Sequence, residues 1–189
     1  IIIIIIFLSA VVIFLSIKGY ETNRFNNIIS REVSKKDSNL DLEIKKIKIR
    51  LDLKKFNLFL ATENPNVQYR EVALPIKNLK IFIDFKSLIK ATPNVEKLEV
   101  TFGAMKIQEL KKLILRWKPS NIKRFTLNNV KNGQIQGEII LNFENNYKIR
   151  GYRLNGKVKN IDIKIKDNIF IKSTEFNFFS HNDLFIANS

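Results

Sequence analysis

No cysteine occurs anywhere in these 189 residues. That removes disulfides, thiolate metal sites and cysteine nucleophiles together. It leaves the compartment open, because exported chains also lack cysteine. Histidine occurs once, at His181 near the end, so neither a multi-histidine metal centre nor a histidine-based triad has its parts. Glycine is sparse, and Gly133 and Gly137 are too isolated to form a phosphate-cradling loop of the Rossmann or Walker kind. Ser87 and Ser120 have no histidine near them, and carboxylates such as Asp41 and Glu43 read as outward members of an alternating strand. The chain therefore reads as a non-enzyme with no catalytic residue, metal or cofactor.

Acidic residues are also few. Eighteen Asp and Glu stand against 33 Lys and Arg, for a net charge of +15. Such a chain favours anionic partners, nucleic acid or acidic headgroups. The cations are scattered, with pairs at Lys35-Lys36, Lys45-Lys46, Lys54-Lys55 and Lys111-Lys112. No aromatic-interleaved basic motif accompanies them, so no nucleic acid is expected and most of the lysines read as solvated faces. A hydrophobic content of 45% with 15 Phe is ample for a core and argues against disorder.

What the chain has in plenty is aliphatic sequence, concentrated first at the N-terminus. Ile1 to Ile17 is almost unbroken, and charge begins at Lys18. At about 1.5 Å per residue the run reaches roughly 25 Å, the short end of a bilayer core. Each large aliphatic side chain favours insertion by about 0.3–0.6 kcal/mol. Ser9 and Ser16 are tolerable where each hydroxyl bonds a carbonyl one turn back. A secretory signal peptide is the alternative, but Ser16-Ile17-Lys18 matches its small-x-small cleavage site poorly. Residues 1–18 are thus expected to form a transmembrane anchor. Because the chain starts at Ile rather than Met, further residues are expected upstream. The expected placement is a single-pass protein with a cytoplasmic N-terminus and the body outside. Lys18, Arg24 and Arg31 pull the other way, so that orientation needs upstream charge or an export leader.

Residues 19–37 read as a juxtamembrane amphipathic helix, since Phe25, Ile28, Ile29 and Val33 recur at helical spacing. It is expected either at the headgroups or capping the following sheet. Residues 38–189 read as a β-rich domain. Leu40, Leu42 and Ile44 share one phase, Ile47, Ile49, Leu51 and Leu53 the other, and Phe56, Leu58 and Leu60 return to the first. A slip of one residue turns every side chain over, so the lysine pairs at the breaks mark bulges or turns that restore one apolar face and one charged face.

Asn64-Pro65-Asn66 reads as a turn and Leu74-Pro75 as an edge or break. Leu79, Ile81, Ile83 and Phe85 alternate, as do Leu98, Val100 and Phe102, with a helical turn expected between them at Phe85 to Lys90. Ile107 to Trp117 is the clearest soluble helix, with Trp117 expected as a core anchor. Phe125 and Leu127 then read as strand, followed by a turn at Asn132-Gly133. A meander follows through Ile135, Ile139, Leu141 and Phe143, and then Tyr152, Leu154 and Val158 with bends at Gly151 and Gly156. It continues through Ile161, Ile163 and Ile165, a turn at Asp167-Asn168, and Ile169, Ile171, Phe176 and Phe178. The apolar end at Leu184 to Ala187 looks like a strand without a capping device, so the sheet is expected to continue beyond it.

An apolar N-terminal run leads into the alternating segment Leu40 to Leu58, and a proline-broken turn follows. After it come Asp84 to Ile89, Val95 to Phe102 and Leu127 to Gly133, then hairpins. In this layout the chain resembles the N-terminal part of the AsmA-like family of bacterial envelope proteins. The resemblance covers nearly the whole chain and rests on layout rather than a short motif; the helix at Ile107 is a departure from it. It implies a mainly β fold with minor α: a membrane helix followed by a curved, U-shaped antiparallel sheet with one or two packed helices. It also implies a periplasmic body that conducts phospholipid between inner and outer membrane. Candidate groove-lining residues are Ile47, Ile49, Leu51, Leu53, Leu58, Leu60, Ile81, Ile83, Ile139 and Leu141. The expected partners are phospholipid, the inner membrane and other envelope proteins. The alternative is a membrane-anchored scaffold domain in which the same residues form a closed β-sandwich core.

Overall fold

The computed structural model describes residues 2–54, 57–84, 86–87, 94–115, 119–144, 148–166, 169–182 and 184–188. The order is α1 (Ile2–Ile17), β1 (Tyr20–Thr22), α2 (Asn26–Lys36), β2 (Leu40–Glu43), β3 (Ile47–Asp52), β4 (Asn57–Glu63), β5 (Asn66–Tyr69), β6 (Val72–Leu74) and β7 (Ile76–Asp84). Then come β8 (Val95–Lys106), α3 (Ile107–Ile114), α4 (Asn121–Asn129), β9 (Val130–Phe143), β10 (Ile149–Lys166), β11 (Ile169–His181) and β12 (Leu184–Asn188). The fold is mainly β, and every strand pairing is antiparallel.

Nine strands form one sheet in the order β1-β3-β4-β7-β8-β9-β10-β11-β12, with β1 and β12 as its edges, so it does not close on itself. A second sheet, β2-β5-β6, has three strands. Its strands come from two excursions out of the large sheet. The first phase break, at Lys45-Lys46, is where the chain crosses from β2 in the small sheet to β3 in the large one. Asn64-Pro65 and Pro75 mark the exit into β5 and the return from β6. Asn64 takes a left-handed φ of 46° and its N–H donates to Lys77 O at 2.7 Å. A proline lacks the N–H that a ladder needs, so each one ends pairing in one sheet before the chain joins the other.

α1 has 16 residues, none of them buried. Among the described residues no helix is long and apolar enough to cross a membrane. Ser9 bonds one turn back, to Ile5 O at 2.8 Å, but Ser16 does not: its hydroxyl donates to Leu51 O at 3.0 Å. Arg50 in turn donates to the carbonyls of Ser16 and Ile17 at 3.3 and 3.0 Å. Carbonyls at a helix C-terminus lack intrahelical partners and carry partial negative charge, which a guanidinium satisfies well. Gly19, with φ 76°, ends the helix where a Cβ would stand 2.7 Å from Arg50 Cγ and 2.9 Å from Ile49 O.

α2 packs on β2 through Ile29 and Val33, while Ile28 is exposed and Phe25 is the exposed N-cap residue. Its apolar stripe is narrower than the spacing suggests, because one short strand pair offers room for a single ridge. The Ile107 helix ends as α3 at Ile114, and Trp117 lies outside the described residues. So do most of Phe85 to Lys90 and the turn at Asp167-Asn168.

Three expectations are corrected. Phe125 and Leu127 lie in α4, not in a strand: Ser120 Oγ accepts from Lys123 N at 3.1 Å and caps the helix, and Lys111 Nζ reaches Leu127 O at 2.9 Å. Asn132-Gly133 is inside β9, not a hairpin turn. The positive φ of Gly133 is absorbed in a bulge, with Asn160 at φ 49° on the bulged stretch of β10. Gly151 and Gly156 are likewise inside β10; Gly156 faces Gly137 on one side and Phe178 on the other.

Candidate functional site

Antiparallel partners opposite one another share a face, so the register assigns every side chain. One row runs Ile49, Leu60, Ile81, Leu98, Leu141 and Tyr152 across six strands. A second runs Leu51, Leu58 and Ile83. A third runs Thr62, Leu79, Val100, Ile139 and Leu154. Ile47 is two residues before Ile49 and shares its side. The structure thus brings nine of the groove-lining candidates to one face of one sheet. The tenth, Leu53, follows the end of β3 and is 43% exposed.

The opposite face is less purely charged than the alternation suggests. Phe59 and Phe82 meet there with ring centroids 5.3 Å apart and planes tilted by 31°, with Lys97 Nζ 3.7 Å from the Phe82 ring centre and Arg50 Cζ 5.9 Å from that of Phe59. Glu99 accepts from Lys97 at 2.6 Å and pairs with Lys80 at 3.8 Å. Cations over aromatic faces explain how Phe82 is buried on the side that carries the charge. Sequence reasoning missed this pair because it tracked Leu and Ile and left the intervening Phe residues uncounted.

The apolar face is covered in two places. Over β8 to β11, Ile107 of α3 packs with Val130, Val158, Ile161 and Phe178. Over β3, β4 and β7, the small sheet and α2 bring Leu42, Ile44 and Val67 onto Ile47. Ile47 is therefore buried, at 3% exposure; Leu51, outside that cluster, is buried too, while Ile139 and Leu141 are half-buried. Towards the far end of the β10–β11 pair the aliphatic side chains lie open: Ile165, Ile169 and Ile171 are all exposed.

Between the small sheet, α2 and the large sheet lies a cavity of about 340 Å³. Its floor includes Leu60, Ile81, Leu98 and Val100, and its roof Val33, Leu42 and Leu74. Thr62 stands among them, 5% exposed, and among the described residues Oγ1 has no hydrogen-bond partner. Asp37 and Lys111 have shifted pKa values. Hydrogen bonds from Asn39 hold the Asp37 carboxyl below its ordinary range, and burial, then the Lys131 charge, lowers Lys111. Neither lines the cavity. Among the described residues no group of three His, Asp or Glu side chains comes together to hold a metal ion. The site can shield hydrocarbon from water. Comparison with family models, curated proteins and solved structures finds no match for this chain.

Proposed function

We propose that the chain is a membrane-attached protein of the AsmA-like type that holds phospholipid acyl chains along the apolar face of its open sheet. α1 embeds in the inner membrane in this reading, and the sheet extends from it as a curved groove in the periplasm, leading lipid towards the outer membrane. The observation that carries it is the register. Aliphatic rows continue across the large sheet, which has two free edges, and the covering elements leave Leu141 and Ile139 half-buried and Ile165, Ile169 and Ile171 exposed. Acyl carbon laid on such rows leaves water at a gain of about 25 cal/mol per Å², so several kcal/mol per chain accrue with no specific contact. Binding of that kind requires no polar ligand residue, in keeping with a sequence that has no site motif.

Leu141→Asp and Ile139→Asp test this reading. A carboxylate on a face open to solvent or lipid keeps part of its hydration, so both variants should accumulate folded and lose co-purifying phospholipid, as measured by mass spectrometry of the detergent-purified full chain. Ile47→Asp, in the covered region, should not fold, because an unpaired buried carboxylate costs several kcal/mol. Loss of folded protein in the first two variants returns the face to a closed core, as the scaffold alternative requires. Normal folding with unchanged lipid puts the lipid elsewhere.

A further inference from the structure

The two ends of the large sheet differ in charge. Ser16 meets Leu51, and β1 then runs from Ile49 to Ile47, so the chain enters the sheet from the end at which β3 finishes. Of α1 only Leu15 and Ser16 are partly shielded, so the helix stands clear of the sheet there. Antiparallel pairing gathers the β3–β4, β7–β8, β9–β10 and β11–β12 connections at that same end. Over residues 53–56, 84–96, 143–150 and 181–184, six Lys and Arg meet four Asp and Glu. The opposite end receives α3, α4 and the turn from β10 to β11. Residues 107–131 and 162–172 hold ten Lys and Arg against three Asp and Glu, which is +7 of the chain's +15. Of those acids, Glu109 accepts from Lys106 N at 3.4 Å and Asp162 accepts from Asn132 at 2.9 Å.

Hydrogen bonds join the pieces of this basic end. Lys123 Nζ donates to Leu115 O at 2.5 Å, tying α4 to the end of α3, and Asn129 Nδ2 donates to Lys164 O at 2.7 Å, tying α4 to β10. Phe125 lies one turn before Asn129, on the same side of α4. It is exposed, as are Ile165, Ile169, Phe170 and Ile171. Ile171 pairs with Ile163 and Phe170 with Lys164, so both faces of the β10–β11 ribbon carry exposed apolar side chains. A rigid partner seated on one face would leave the other in water. A bilayer interface takes both, with the cations at the level of the headgroups. We propose that this end of the sheet docks on a bilayer with anionic headgroups, a second one besides that holding α1. The proposal rests on the reading that α1 is embedded. Fourteen residues of β9 at about 3.4 Å each set the two ends roughly 45 Å apart along the strands. With the last turn of α1 bonded to β3, the basic end points away from the first membrane.

The test places the full chain in nanodiscs of phosphatidylcholine and adds separate vesicles. Vesicles rich in phosphatidylglycerol should carry the nanodiscs up a flotation gradient about ten-fold more than vesicles of phosphatidylcholine alone. Ile169→Asp with Phe170→Asp, at exposed positions, should cut this capture about ten-fold at an unchanged melting temperature, and Lys112→Glu with Arg124→Glu should do the same. Lys54→Glu with Lys148→Glu, at the α1 end, should be captured as well as the wild type. The chain has no cysteine, so a bimane on Lys172→Cys reports on the basic end alone. Its emission should move to the blue when anionic vesicles are added, and not when the nanodisc itself carries the phosphatidylglycerol. Equal capture by the two kinds of vesicle, full capture in either basic-end variant, or loss in the α1-end variant overturns the proposal. Capture kept in the apolar variant alone would fit an acidic protein or nucleic acid instead. A bimane shift caused by the nanodisc's own lipid also overturns it, since that puts this end on the first membrane. Entry into nanodiscs is scored separately. A chain left outside them sinks the α1 reading, and its flotation with anionic vesicles, wild type against the Ile169→Asp, Phe170→Asp variant, still decides this surface.

Discussion

Gly137→Ala should destabilise the protein although alanine is ordinarily the better strand residue. Gly137 and Gly156 face one another on β9 and β10, and Phe178 lies against Gly156 from β11. A Cβ built on Gly137 meets the main-chain oxygen of Asn155 and stands 2.9 Å from Gly156 Cα. Both are backbone atoms of a paired strand, so relief requires β9 and β10 to part where Phe178 joins the core with Ile107, Val130, Val158 and Ile161. Overpacking of this kind costs about 1–3 kcal/mol, and alanine recovers about 0.5–1 kcal/mol of backbone entropy. The net loss is about 1–2 kcal/mol, or a melting temperature lower by roughly 2–8 °C for a chain of this size. Gly103→Ala is the control, because its Cβ meets only the flexible end of Lys77, at 3.0 Å, and Pro75 O at 3.4 Å. It should melt at or slightly above the wild-type temperature. Far-UV circular dichroism of the detergent-purified proteins, with a guanidinium titration, reads both. A Gly137→Ala protein as stable as Gly103→Ala would show that the close approach of the two strands is not a constraint.

Two further outcomes test how the apolar face is covered. Ile107→Ala empties the centre of the α3 contact, where Ile107 is 4% exposed, and should cost about 2–5 kcal/mol in denaturant titration. A loss below about 1 kcal/mol, within the range of a surface change, would show that α3 is not a true cover. The turn joining β5 and β6 places Arg70 and Glu71 at φ 49° and 67°, a left-handed conformation that costs a non-glycine residue about 1–2 kcal/mol. Glu71→Gly should therefore raise the unfolding free energy by about 1 kcal/mol, and an unchanged or lower value would mean that Glu71 makes compensating contacts.

Much of the large sheet was legible in the sequence because its solvent and core faces differ in side-chain class, and period-two alternation reports that difference directly. Ile49, Leu58, Leu60, Ile81, Ile83, Ile139 and Leu141 fall on one face for that reason. The split into two sheets was not legible. Leu42 and Ile47 belong to one core cluster although they come from different sheets, and a phase break at two lysines looks the same whether the chain bulges, turns or crosses over. Phe125 and Leu127 misled because two apolar residues at spacing two fit a strand, while the decisive signal was Ser120 acting on a backbone N–H three residues on. Gly133 misled in the opposite sense: Asn-Gly is a strong hairpin signal, but only the partner strand determines whether a positive φ becomes a turn or a bulge. The cavity could not be read at all, since its walls come from segments far apart in sequence, from Val33 to Val100.

The junction at the end of α1 sets a mechanical condition on everything beyond it. Two residues, Lys18 and Gly19, separate the helix from β1, and the connection does not act as a loose hinge. Ser16 ties the last turn to the main chain of Leu51, and Arg50 reaches back to hold two of its carbonyls. The helix is therefore clamped to β3 from both directions, and a torque on one is carried into the other. If α1 is held by a bilayer, the sheet cannot swivel about its attachment, and its aliphatic face keeps one bearing relative to the membrane normal. Cutting both Ser16 and Arg50 back to alanine would turn a bracket into a tether, with every residue of the face unchanged and only its aim lost.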